Sequence, residues 1–92
     1  MITEVELSRS AQKELKQLPL HVVEKLRSWI LAVGRYGVEA VRKIPGYHDE
    51  PLQGKKNKQR SIRLSKAYRA IYVVKKEKIE FIFIEEVNKH EY

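Results

Sequence analysis

The sequence predicts an α+β domain: an N-terminal strand and an αα-hairpin packed on a small antiparallel β-sheet. Three observations predict it. Apolar residues recur at helical spacing between Ala11 and Val33, β-rich runs fill the stretch from Arg60 to Ile84, and Pro45-Gly46 separates the two patterns. A chain of 92 residues supports one domain with one modest core, spanning 1–92.

Met1 to Leu7 reads as a short strand through Ile2, Val5 and Leu7, after which Ser8 and Ser10 offer N-cap hydroxyls. Ala11, Leu15 and Leu18 then mark one stripe of a first helix. Pro19 ends it, because a residue before proline is pushed out of the α region. From Leu20 a second helix presents Val22, Val23, Leu26, Trp29, Ile30 and Val33 on one side, and Gly34 and Gly37 are its stop signals. With only Pro19 and its neighbours between them, the two helices are expected to form an antiparallel hairpin. Val38 to Ile44 adds a short third helical turn. Arg60–Leu64, Tyr68–Val74 and Ile79–Ile84 follow as a three-stranded antiparallel meander, with Lys75-Lys76-Glu77-Lys78 as a hairpin connection. The run Ile79-Glu80-Phe81-Ile82-Phe83-Ile84 is apolar on both parities, as a central strand covered on both faces would be.

Charge is distributed unevenly along this frame. Between Pro51 and Lys76 stand nine basic residues and no acidic one, so the net charge of +7 is a local feature. Such a field concentrates polyanions, of which nucleic acid is the commonest; the other reading is a solvated, Lys-rich face kept for solubility. A charged fraction of 34% and the lack of any long apolar run argue against a membrane role. No basic-then-apolar leader opens the chain and there is no cysteine, so a reducing cytoplasm is the expected location. His21, His48 and His90 have no paired ligand spacing, so neither a metal site nor a cofactor is expected.

Few residues offer chemistry. Arg63 and Arg69, brought together on neighbouring strands, would repel unless an anion or carboxylate lay between them. They form either a phosphate clamp or, for Arg69, an ion pair with Glu80 or Glu85. His90 and Tyr92 combine a proton-transfer group with a phenol, or belong to a solvated tail. Glu50 is a candidate base or a plain surface carboxylate. Tyr47 and His48 read as decorating the turn after Pro45-Gly46, and His21 as an exposed or capping residue at the start of the second helix.

In order along the chain, Glu50-Pro51-Leu52-x-Gly54, the Arg60–Leu64 strand, Tyr68-Arg69-x-Ile71-Tyr72, the Ile79–Ile84 strand and the terminal Val87-Asn88-Lys89-His90-Glu91-Tyr92 resemble the RelE/YoeB/HigB toxins of the RelE/ParE superfamily. The resemblance covers nearly the whole chain. It implies a ribosome-dependent mRNA endonuclease held inactive by a cognate antitoxin, with no small-molecule cofactor. Glu50 then looks like the general base and Arg69 like the arginine that stabilises the scissile phosphate. Arg63 looks like an accompanying cation, and His90 and Tyr92 like the groups acting on the leaving group and orienting the RNA. Lys55, Lys56, Lys58, Arg60 and Lys66 are the expected contacts to RNA and ribosome. Two departures stand out: Glu91 separates His90 from Tyr92, which are adjacent in YoeB, and Gln53 stands where relatives often carry lysine. Two rival functions remain. One is a ParE-like toxin that inhibits DNA gyrase, which has no need of Glu50, Arg69, His90 and Tyr92. The other is a non-catalytic RNA-binding module, which needs only the basic window.

Overall fold

The computed structural model describes residues 1–54 and 58–87. Its elements are β1 (Glu4–Leu7), α1 (Arg9–Leu15), α2 (Leu20–Tyr36), α3 (Val38–Val41), a 3-10 turn (Pro45–Tyr47), β2 (Glu50–Pro51), β3 (Gln59–Arg63), β4 (Tyr68–Lys75) and β5 (Lys78–Glu86). Among the described residues, no helix is long and apolar enough to cross a membrane.

The expected meander is present as antiparallel β3, β4 and β5, but the sheet is larger and mixed, with strand order β1-β5-β4-β3-β2. β1 pairs parallel to β5, Val5 opposite Ile79 and Leu7 opposite Phe81. β2 forms the other edge, Glu50 opposite Ser61 and Pro51 opposite Arg60. The helices lie on one face. Their stripe of Val22, Leu26, Trp29 and Val33 meets Ile62, Ala70, Tyr72, Ile79 and Phe81 of the sheet in one core. At its centre Trp29 packs with its ring centroid 5.2 Å from both Tyr72 and Phe81. Tilted aromatic contacts of this kind add to plain area burial.

β5 is covered by helices on one face only, which corrects the expectation of a strand buried on both. Its apolar double parity comes from a bulge: Ile71 pairs with Phe83 while Tyr72 pairs with Phe81, leaving Ile82 without an opposite residue. Ile79 and Phe81 therefore face the core before the bulge and Ile84 after it. Ser8 and Glu14, the N-cap and a residue of α1, satisfy backbone groups there. Ser8 Oγ accepts from Ala11 N (3.0 Å) and donates to Ile82 O (2.8 Å), and Glu14 Oε1 accepts from Ile84 N (2.8 Å). A bulge leaves ladder groups unpaired, and α1 takes them up.

Helix ends differ from expectation in two places. α1 stops at Leu15, and Lys16, Gln17 and Leu18 donate three residues back in a tightened last turn before Pro19. Gly34 lies within α2, and the stop is Gly37 alone, at φ 86. A side chain there would be strained and its Cβ would lie 2.7 Å from Met1 Cγ.

Candidate active site

Strand alternation turns every second residue of β3, β4 and β5 away from the helices. Registers align two rows on that open face. Glu50, Ser61, Ile71 and Phe83 form one, and Arg63, Arg69 and Glu85 form the next. Between them runs a groove of about 370 Å³ that includes Glu50, Ser61, Arg69, Ile71, Phe83 and Glu85 in its walls. It adjoins a depression of about 220 Å³ bordered by His48, Glu50, Arg63, Lys66, Tyr68 and Arg69. Glu50, Ser61 and Arg69 belong to both, so the two hollows share a wall. Ile71 and the half-buried Phe83 make an apolar floor, and the charges stand at one end.

Arg63 and Arg69 are direct cross-strand partners, as expected. Of the two readings for Arg69, the ion pair is present: its Nε donates to Glu85 Oε2, its own cross-strand neighbour. Glu80 pairs with Lys75 instead, at 3.0 Å. The Arg69 side chain nevertheless stays 39% exposed in the groove. A half-exposed pair of this kind is worth only about 0–1 kcal/mol, so an entering phosphate can compete for the guanidinium at small cost. Arg63 is exposed, and among the described residues no carboxylate pairs with it.

The opposite side of the β2–β3 edge is built by a residue that the sequence reading did not single out. Asp49 has a fully buried side chain; it accepts from Arg60 Nε at 2.6 Å and from Tyr72 OH at 2.7 Å. Arg42 Nε, at the end of α3, reaches the same phenol at 3.4 Å. Burial and the hydrogen bond to Asp49 push the Tyr72 phenol up to about 12. Burial works against the Arg60 charge, yet the Asp49 hydrogen bond and field hold its pKa above the ordinary value. A sequence signal existed: Tyr72 shares the core parity of Ala70, and a buried phenol requires a polar partner. Nothing in the sequence says that the partner is Asp49.

Arg60 therefore departs from the expectation of a free RNA contact, because its guanidinium is held by Asp49 and its side chain is only 24% exposed. Tyr47 is also corrected. It is buried rather than decorative, its hydroxyl lies 2.6 Å from Ser28 Oγ, and Lys25 Nζ sits 4.9 Å from its ring centroid. Lys58 and Lys66 are exposed, Lys66 in the depression beside Arg63 and Lys58 in a separate hollow with Arg42 and Arg60. Lys55, Lys56, His90 and Tyr92 lie outside the described residues.

No protein-family model matches this chain, and no characterised protein sequence does. Solved structures match over nearly its whole length. The archaeal RelE–RelB complex from Pyrococcus horikoshii OT3 aligns at a TM-score of 0.72 and 19% identity, over 97% of this chain and 99% of that one. The E. coli DinJ–YafQ toxin–antitoxin complex gives 0.71 and 18%, over 94% and 93%. The YoeB–YefM complex from Staphylococcus aureus gives 0.69 and 20%, over 92% and 97%. At these identities the likeness is one of fold, and the fold is that of the RelE-like toxins.

Proposed function

We propose that this chain is a toxin that cuts mRNA on the ribosome and is held inactive by a cognate antitoxin. The observation that supports it most is the gathering of Glu50, Arg63 and Arg69, from three strands, around the depression that adjoins the open groove. The neighbouring DinJ–YafQ structure is a toxin–antitoxin complex, and the RelE–RelB and YoeB–YefM structures are complexes too, which supports a partner of that kind here.

The reaction uses the RNA's own 2′-hydroxyl. Glu50 takes its proton as the 2′-oxygen attacks the adjacent phosphorus. Arg69, released from Glu85, and Arg63 stabilise the charge that builds on the phosphate oxygens. A proton donor then serves the departing 5′-oxygen, a role the resemblance assigns to His90, with Tyr92 orienting the RNA. The products are a 2′,3′-cyclic phosphate and a 5′-hydroxyl. DNA lacks the nucleophile and escapes. Lys55, Lys56, Lys58 and Lys66 supply backbone contacts to RNA and ribosome, whose affinity should fall steeply with salt. Action on ribosomes places the working protein in the cytoplasm.

The test is expression of this gene alone and with its neighbouring open reading frame, followed by primer extension on a cellular message. Growth arrest, codon-phased cuts and rescue by the neighbour are expected. Harmless accumulation of folded protein would sink the reading. Arrest without any cut would point to a gyrase-type target instead.

A further inference from the structure

His48 is exposed at the end of its turn, as expected, and it also borders the depression beside Glu50. It follows the 3-10 turn Pro45–Tyr47 as its cap, with its N–H donating to Pro45 O at 3.0 Å. Its backbone is left-handed, at φ 47 and ψ 51. That conformation is uncommon outside glycine, although asparagine, aspartate and histidine adopt it more often than other residues. Strained backbone of this kind is found disproportionately where a side chain has a task.

The surroundings suggest the task. The next residue, Asp49, is locked inward by Arg60 and Tyr72, which pins the chain immediately before Glu50. On either side of that anchor, His48 and Glu50 border the same depression. The groups facing them are Arg63 of β3, Lys66 of the β3–β4 turn, and Tyr68 and Arg69 of β4. One carboxylate and one imidazole thus share a hollow with the cations that would hold a phosphate.

We propose that His48 is a catalytic residue bordering this depression, the acid that protonates the departing 5′-oxygen in place of the His90 to which the resemblance gives that role, while Glu50 removes the 2′-proton. The assignment rests on the nuclease reading above. As the O2′–P bond forms and the P–O5′ bond breaks, the imidazolium gives its proton to O5′ and becomes neutral. Glu50 ends protonated, and both groups return to their starting states by exchange with water. Histidine titrates near neutrality, which suits a group that must hold a proton before the step and release it during the step.

The experiment uses the intact protein on ribosomes programmed with a defined message. His48→Gly relieves the left-handed backbone, so thermal stability should be unchanged or higher. Its cleavage rate should fall about 10²–10⁴-fold, the usual worth of a proton-transfer group. Free imidazole should restore part of that rate, and the variant should lose one limb of the wild-type pH profile. His48→Asn, which also tolerates the left-handed region, should behave the same way and stands in if the glycine variant folds poorly. A folded variant that cuts at the wild-type rate overturns the assignment. So does a slow one that keeps the wild-type pH profile and ignores imidazole. If the wild-type protein never cuts, the nuclease reading itself fails, and this assignment with it.

Discussion

The two faces of one sheet behave as different materials. On the helix side, Ile62, Ala70, Tyr72 and Phe81 are fully buried, and the Asp49 carboxylate is buried and held by two partners. On the open side, in the same strands and one residue away, Arg63, Arg69 and Glu85 are exposed or half-exposed, and the Arg69–Glu85 pair is loosely shielded. Breaking a buried pair by removing one partner strands the other charge, whereas a solvent-facing pair can be exchanged for a phosphate at little loss. The comparison teaches a division of labour: helix-side residues set stability, and open-side residues are left free to trade partners.

That division can be broken or sharpened by measuring stability and cleavage together. Trp29→Ala, at the centre of the aromatic cluster, should cost about 3–5 kcal/mol in denaturant unfolding. A smaller loss would mean that the core collapses around the hole. Asp49→Ala should cost about 3 kcal/mol by stranding Arg60, at the low end for buried pairs because Arg60 keeps partial access to water. It should also slow cleavage, since it loosens the chain that presents Glu50. This is the one substitution expected to cross from one face to the other, and a purely stability effect would show that β2 holds Glu50 without it. Arg69→Ala should leave the unfolding midpoint within about 0.5 kcal/mol, typical of surface changes. It should lower the cleavage rate about 10²–10³-fold. Unfolding that instead matches Asp49→Ala would erase the contrast between the faces.

Tyr72→Phe should cost about 1–2 kcal/mol of stability near neutral pH, from the lost hydrogen bond to Asp49, less than Trp29→Ala or Asp49→Ala. It adds a pH signature. The folded phenol ionises near pH 12 and an unfolded one near about 10, so between them the unfolded chain releases a proton that the folded chain keeps. This contribution is fully present below the unfolded value and is lost as pH rises through the folded one. Wild-type stability should therefore decline more steeply than that of Tyr72→Phe over this alkaline window. Parallel curves would mean that the buried phenol is no harder to ionise than a free one.

Local chemistry made much of this fold legible. The Ser8 cap, the α2 stripe, the stop at Gly37 and the β4–β5 hairpin each depend on residues a few positions apart, where propensity and periodicity act directly. The parallel docking of β1 on β5 was not legible, because it joins residues more than seventy positions apart with no local signal. The Ile82 bulge hid for a related reason: an apolar run on both parities looks the same whether a strand is covered twice or shifts its phase once. Gly34 misled because glycine inside a helix and glycine ending one are the same letter.

At the site, the sequence by itself determined the chemical inventory: a basic window without counter-charge, a carboxylate at its head, and two arginines on adjacent strands. Alternation within each strand was enough to expect Arg63 and Arg69 to meet. Only the tertiary structure decided which partners these groups take. Arg60 and Arg69 are the same residue type in the same window, yet one is bound to a buried carboxylate and the other to a half-exposed one. It also decided that Asp49 turns inward while His48 and Glu50 border the depression beside the groove. Charge and spacing are properties of the chain, but burial is a property of what packs against it, and burial sets whether an ion pair is a fixture or a partner that can be exchanged.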